Sequence, residues 1–507
     1  MLYTPKLRKV RRWPLALLAS LCLPATLAMA QLPTLGDGSA MSVAVERQLG
    51  EKIARELYRD PDYIDDPVLA DYVQGIWRPL LAAARLRGDV SPELDERFQW
   101  EVLLGKDRTI NAFALPGGFM GLHLGLVASV ANRDELASVL AHELSHVTQR
   151  HISRMMTQQD RQTPLLIGAM VLAAIAASKN PDAANAVAAG GQALAMQGQL
   201  NFSRDMEREA DRIGFGLMGQ AGFEPAGFVT MFEKLQQASR LNDSGAFPYL
   251  RTHPLTTERM ADMQSRVPLQ AQVPAATPVR TLLHAMMVAR AQVLSQNDID
   301  TVRSRALDVA KAPMTALPPD QQAAMAYGAA LAHLKLRDVA AARVWAARLE
   351  SVVQDDAGAR AAARLLTAEI AVESGQASAA VALLANAGDA RAAVMLRAQA
   401  HTAAGQPETA AQDLQTWLAL HPRDAMGWHV LANARRAAGQ ILQSIRADAE
   451  VRVAQFDYAA AMDRFKAAQL LARQSAPLAG NEHIEASIVD SRARQVELLL
   501  REEALKR

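Results

Sequence analysis

Cysteine is all but missing: Cys22 is the only one in 507 residues. It lies in the opening segment, where Lys6, Arg8, Lys9, Arg11 and Arg12 precede the apolar run Leu15 to Leu23, and Ala28-Met29-Ala30 follows. A basic stretch, a short apolar stretch and an A-x-A site together read as a cleaved secretory signal, residues 1–30, with Gln31 the first mature residue. Leu21 stands before Cys22, where a lipid-anchored signal needs a small residue, so no lipid anchor is expected. The mature chain then has no thiol. That suits an oxidising compartment and excludes disulfides and thiolate metal ligands. Any metal must be held by histidine and carboxylate.

Charge of one sign is lacking too. The formal net charge is +1, and removing residues 1–30 takes away five basic residues and no acidic one, leaving 49 basic against 53 acidic. Neither balance makes an electrostatic case for nucleic acid. Long apolar runs are also missing. Leu165 to Ala177 is apolar except for Gly168, but it is short for a membrane span, and residues 182–198 beyond it are rich in Ala, Gly and Gln. A buried helix followed by a loose segment fits better, and its position between two site motifs suggests a lid or plug at about 152–200.

What is present is AHELSHVTQRH, residues 141–151, around which the chain is organised. His142 and His146 are four apart, so on a helix their imidazoles leave one face and can grip one metal ion. Glu143 projects about 100° away from His142, close enough to handle a water at the metal without ligating it. Asn132 reads as the N-cap with Glu135 three residues on, and Leu136, Val139, Leu140, Leu144 and Val147 form the apolar stripe. His151, nine residues past His142, is expected on the far face of that helix.

Before this helix, residues 42–60 and 65–86 read as helices. Alternation at Phe98, Trp100, Val102 and Leu104 marks a strand, and residues 109–115 and 118–124 read as two more, separated by Pro116-Gly117. Such a small sheet commonly offers an edge to which an extended peptide can pair, although scaffold strands would read the same way. His123 is taken as a strand residue. Downstream, NFSRDMEREADRIG (201–214) places Glu207 and Asp211 on one helical face and Glu209 on the opposite side. Glu207 is the natural third ligand and Asp211 a carboxylate to orient a ligating imidazole. Glu207 with Arg204 or Arg208 as a solvated salt-bridge face is the alternative.

NAFALPGG (111–118), the HELSH helix and ExEAD (207–211), in that order, resemble the zinc metallopeptidases that include HtpX and the CAAX prenyl proteases. The third zinc ligand of that family is the first Glu of its E-x-x-x-D motif, which falls on Glu207. THPLTTERM (252–260) is similar to a loop in the soluble periplasmic branch of the family, where the loop histidine fills the open zinc position and latches the enzyme. The matching residue is His253. Without the resemblance, His253-Pro254 is a helix-starting turn.

Residues 268–280 form a Pro/Ala linker, after which the chain is Ala-rich and helical. Gly405-Gln406 and Gly439-Gln440 lie 34 residues apart, the tetratricopeptide period. Val394 aligns with Trp428 and Ala398 with Ala432. Gly375-Gln376, Arg337-Asp338 and Phe456-Asp457 look like further turns, giving roughly four repeats. Trp417 and Trp428 are expected in the core. The periplasmic branch carries such repeats too, but the disulfide brace of its repeat domain is not available to this chain.

The expected architecture is an α+β zincin-like metallopeptidase domain, mostly helical with a small sheet, followed by an all-α tetratricopeptide-repeat solenoid. The domains run 1–30 (signal), 31–267 (peptidase), 268–280 (linker), 281–475 (repeats) and 476–507 (C-terminal helical tail). The expected activity is a periplasmic zinc endopeptidase with one Zn²⁺ per chain on His142, His146 and Glu207. Glu143 is the base, Asp211 orients a ligand and His253 is a latch. The resemblance implies unfolded or stalled outer-membrane proteins as substrates, with the outer-membrane barrel-assembly machinery bound through the repeats. It leaves peripheral membrane association open. The rival reading is a repeat-based periplasmic chaperone or adaptor with a structural or latched zinc site.

Overall fold

The computed structural model describes residues 41–158, 203–241, 248–267, 281–311, 314–474 and 482–505. The signal, most of the lid segment and the 268–280 linker lie outside these residues. The fold is mostly helical, with one small mixed sheet.

Helix α1 (Val43–Arg59) starts on Ser42, whose side chain accepts from the Val45 N–H. Helix α2 (Pro67–Arg87) starts on Asp66, which accepts from the Leu69 N–H at 2.8 Å, and stops at Gly88 in the left-handed region (φ 80°). Cap and stop are the side-chain and backbone devices that satisfy orphan helix-end groups. A short α3 (Pro92–Arg97) leads into the sheet. Strands β1 (Glu101–Gly105), β2 (Ala112–Ala114) and β3 (Phe119–His123) lie in the order β1-β3-β2, with β1 parallel and β2 antiparallel to β3. β1 begins later than the alternation predicts. Trp100 takes φ 52°, which breaks the extended chain, and its carbonyl accepts from the Trp77 indole instead of a strand neighbour. The β2–β3 turn needs Gly117: at φ 74°, a Cβ there would also sit 2.9 Å from the Arg47 Cα.

After α4 (Leu124–Ser129) comes the central helix α5 (Arg133–Thr148). Asn132 caps it as expected, accepting from the Asp134 and Glu135 N–H groups. Glu135 reaches back to the Ala131 N–H at 2.6 Å and takes an ion pair from Lys234. Every residue from Glu135 to Thr148 is buried, so the helix is packed all round and not only along its apolar stripe. Helix α6 (His151–Gln158) follows, then α7 (Arg204–Gln220), α8 (Ala226–Leu241), α9 (Pro248–Thr252) and α10 (Thr257–Arg266). α7 crosses α5 at Gly214, where a Cβ would stand 3.1 Å from the His142 backbone nitrogen. That close crossing brings the acidic motif of α7 to the histidines of α5.

The remaining described helices are α11 (Leu282–Leu294), α12 (Ile299–Lys311), α13 (Pro319–Lys335), α14 (Val339–Val352), α15 (Ala357–Glu373) and α16 (Ala377–Leu384). They continue as α17 (Arg391–Ala403), α18 (Pro407–Leu420), α19 (Ala425–Ala437), α20 (Ile441–Ala454), α21 (Tyr458–Gln474) and α22 (Glu482–Leu505). All five turns read from the sequence carry a left-handed residue: Arg337, Gly375, Gly405, Gly439 and Phe456. In each, the next N–H bonds back to the helix, as Gln406 to His401 O and Asp457 to Arg452 O, both at 2.8 Å. Short turns of this kind stack antiparallel helix pairs. Val394, Ala398 and Ala432 are buried as their alignment predicts, but Trp417 and Trp428 are half-buried at the margin of their cluster. Their indoles donate to Asp424 and to the Pro422 carbonyl, polar acceptors that an interior apolar position would not offer.

The helical array is anchored to the N-terminal half. One apolar cluster runs from α2 and α5 through α11, α13 and α15. Arg290, itself buried, bonds Asp66 (2.6 and 2.8 Å), the Tyr327 hydroxyl and the partly buried Glu369. Arg391 forks between Asp65 and Asp424, and Asp71 accepts from the Ala392 N–H. Further on, Phe456 packs edge-on against Phe119, Arg59 pairs with Asp457 and Arg55 with Glu503.

Candidate metal centre

α5 holds His142 and His146 one turn apart, with their Nε2 atoms 3.0 Å from each other. α7 adds Glu207, whose two oxygens lie 3.5 Å from those nitrogens. The loop between α9 and α10 adds His253, with Nδ1 at 2.9 Å from Glu207 Oε1 and 3.3 Å from His142 Nε2. The four candidate ligand atoms all lie within 4.8 Å of one another, and all four side chains are buried. Glu207 is 1 % exposed, so it is not part of a solvated salt-bridge face. Arg208, one of the two partners that reading named, pairs with Asp205 and Glu258 instead.

Behind these groups stands a second layer. Asp211 Oδ1 is 2.9 Å from His142 Nδ1. Arg259 grips Asp211 with two nitrogens (2.7 and 2.8 Å) and places a third 2.8 Å from Glu207 Oε2. His151 corrects the helical extrapolation. α5 ends at Thr148, and Arg150 turns left-handed (φ 52°), so His151 starts a new helix. It is fully buried, with Nδ1 2.8 Å from His146 Nδ1 and Nε2 3.0 Å from Glu209 Oε2. A non-glycine left-handed residue has no sequence signal, so only the motif's continuation QRH stood to mark it. Arg259 had a weak one, its place six residues past His253. Tyr249 stacks on the His253 ring (centroids 4.7 Å apart). His123 stays outside the cluster, bonded to Thr109.

Glu143 lies between the cluster and the sheet. Its Oε2 accepts from the Ala114 N–H at 2.9 Å; its Oε1, 3.5 Å from His253 Nε2, has no hydrogen-bond partner among the described residues. On β2, Leu115 and Asn111 bond to β3, so Ala112 and Ala114 direct their backbone groups to the open edge, toward Glu143.

The electrostatics suit a cation. Burial opposes charge on His142, but Asp211 and Glu207 outweigh it and push its pKa up to about 10. Burial opposes charge on Glu207 as well, yet His253 and His142 hold its carboxyl well below the usual range. Asp211 is held low against burial by Arg259. Burial pushes His146 well below, and Glu143 above, their ordinary values. Glu207 kept ionised and His146 kept neutral are the forms a metal requires, while at His142 a metal would displace the proton that Asp211 and Glu207 favour. Imidazole nitrogens and a carboxylate with no sulfur fit a zinc ion, with His253 standing beside the three other groups where a fourth ligand would lie.

The family model for peptidase family M48 matches residues 81–267, which include every residue of this cluster. The chain is 31% identical over 435 residues to the beta-barrel assembly-enhancing protease of Escherichia coli K12, covering 83% of each chain. It is 32% identical over 326 residues to a putative beta-barrel assembly-enhancing protease of Vibrio cholerae, covering 63% of this chain and 64% of that one. It is 33% identical over 164 residues to the mitochondrial metalloendopeptidase OMA1 of Arabidopsis thaliana, covering 32% and 31%.

Proposed function

The chain belongs to peptidase family M48 and is a metallopeptidase, and on that premise we propose that it is a periplasmic zinc endopeptidase acting on unfolded or stalled outer-membrane proteins. The observation that carries this reading is the convergence of His142, His146 and Glu207 on one point, with Glu143 and an open strand edge beside it.

His142, His146 and Glu207 would hold one zinc ion per chain, which would supply Lewis acidity toward a water and the scissile carbonyl. Glu143 takes the proton of the attacking water and delivers it to the leaving amine nitrogen. Burial raises its pKa above the ordinary carboxylate value, which makes it a stronger base than an exposed carboxylate. The Ala114 N–H fixes one of its oxygens and leaves the other for the proton. An extended substrate pairs with the outer edge of β2, which sets its carbonyl against the cluster. Asp211, steadied by Arg259, orients His142. His253 is a latch: its ring stands among the ligands and must swing aside for substrate.

We read residues 281–475 as degenerate tetratricopeptide repeats that present a surface to the barrel-assembly machinery, with peripheral membrane association through that partner. The names of the relatives, which refer to assembly of beta barrels, support this substrate and partner class. Among the described residues no helix is long and apolar enough to cross a membrane. The position of His253 also favours a second reading, a chaperone whose site stays latched.

Zinc per chain in the purified protein, beside Glu207→Ala, tests the metal reading. About one zinc in the parent and a clear loss in the variant are expected. A parent that takes up no zinc after reconstitution overturns it.

A further inference from the structure

His142 and His146 are backed in parallel ways. Behind His142 stands a carboxylate, Asp211, and behind that a guanidinium, Arg259. Behind His146 the same pair recurs one residue further out. His146 Nδ1 meets His151 Nδ1 at 2.8 Å, His151 Nε2 meets Glu209 Oε2 at 3.0 Å, and Arg154 Nη1 donates to the same Glu209 oxygen at 2.8 Å. An imidazole is inserted between ligand and carboxylate, and the carboxylate sits at the surface, with its side chain 37% exposed.

Hydrogen-bond logic fixes the protons along this row. A ligand lone pair on His146 Nε2 places the ring proton on Nδ1. That proton is donated to His151 Nδ1, so the proton of His151 is on Nε2 and is donated to Glu209. Each donor meets one acceptor, and no other neutral arrangement satisfies both contacts with Nε2 left open. The chain also spends strain to build the row. Arg150 holds a left-handed backbone, a conformation unfavourable for a non-glycine residue. It is fastened there by Glu46 at 2.8 Å and by the Met41 carbonyl. Had α5 simply continued, His151 would point away from His146.

We propose that His151 and Glu209 are positioning residues for the metal centre: the row fixes the tautomer and ring orientation of His146 from the protein surface. The proposal rests on the zinc-site reading above, and its test separates the two.

The measurement is the zinc dissociation constant of the full mature chain, by competition with a chelator, together with the absorption spectrum of the cobalt(II)-loaded protein. His151→Phe fills the space but removes the acceptor, and should weaken zinc binding by about 10–100-fold and shift the cobalt bands. His151→Gln keeps an acceptor for the His146 proton and should recover most of the affinity. Glu209→Ala should weaken binding less, and should add nothing in the His151→Phe background, because the row is already cut. Unfolding of the zinc-free chain checks packing. If Phe and Gln at 151 lower its stability and zinc affinity alike, His151 is only filler and the proposal fails. Parental affinity and spectrum in His151→Phe, while His146→Ala loses zinc, overturn the row and leave the metal reading standing. Zinc fully retained in His146→Ala overturns both.

Discussion

The backbone N–H of Ala114, on an edge strand, donates to Glu143 Oε2 at 2.9 Å and so ties the proposed general base to the strand on which substrate would lie. One oxygen is spent on orientation and the other is kept for chemistry. Glu143→Gln keeps the size and the acceptor for Ala114 but cannot take a proton. It should lose about 10³-fold in peptide-bond hydrolysis while still binding zinc. Turnover of an unfolded protein substrate, with metal content measured on the same sample, checks this. Retained envelope function in the variant would move the balance to the chaperone reading.

His253 stands 2.9 Å from Glu207 and stacked on Tyr249, and as the proposed latch it would have to leave before a carbonyl could arrive. His253→Ala should raise basal proteolysis several-fold and leave zinc in place. The rate of casein degradation and the zinc content report the two effects. A fall in both would make His253 a required ligand and not a latch.

Arg259 is the counter-charge of two buried carboxylates at once. Arg259→Ala strands both and should cost about 3–5 kcal/mol of stability in the zinc-free protein. Arg259→Lys keeps the charge but loses the fork that spans Asp211, and should recover only part. Denaturant unfolding of the two variants beside the parent measures it.

Arg391 joins Asp65 before α2 to Asp424 before α19. Burial raises the Asp424 carboxyl, but Arg391 outweighs it and holds the pKa below the ordinary value. A depressed carboxylate stabilises the fold fully above its unfolded pKa of about 3.9, and that contribution fades as pH falls through the folded value. Arg391→Ala should therefore cost about 1.5–3 kcal/mol at pH 7. The gap to the parent should narrow progressively below about pH 4. Unfolding curves at the two pH values give the sign directly.

Phe456 is both a left-handed residue and a buried one, 6% exposed, with its ring against Phe119. Phe456→Ala should cost about 3–5 kcal/mol. Phe456→Gly loses the same ring but relaxes the backbone, and should come out about 1 kcal/mol less damaged than the alanine variant. Thermal unfolding of the pair separates packing from strain.

Much of this was legible in the sequence because it is local. The cap of Asn132, the i, i+4 spacing of His142 and His146, the shared face of Glu207 and Asp211, and the five helix turns are all set within a few residues. What was hidden depends on a break in local order or on distant chain. Arg150 and Trp100 go left-handed without glycine, so the far-face expectation for His151 and the early start of β1 both failed there. The pairing of Asp66 with Arg290 spans 224 residues and leaves no periodic trace. The indoles of Trp417 and Trp428 were assigned to the core by size, but each carries a polar edge that draws it to the margin.

The helical array touches the N-terminal half at Arg290, Arg391, Phe456, Asp457 and Glu503 in turn. A free-standing stack can gain or lose a unit at modest cost, because each unit meets only its neighbours. This one cannot. Inserting or deleting a helix pair between Arg391 and Phe456 would carry every later contact out of phase with its fixed counterpart, Phe119 on β3 or Arg55 and Arg59 on α1. The number of helices is thus a measured length, cut to the girth of what it clasps.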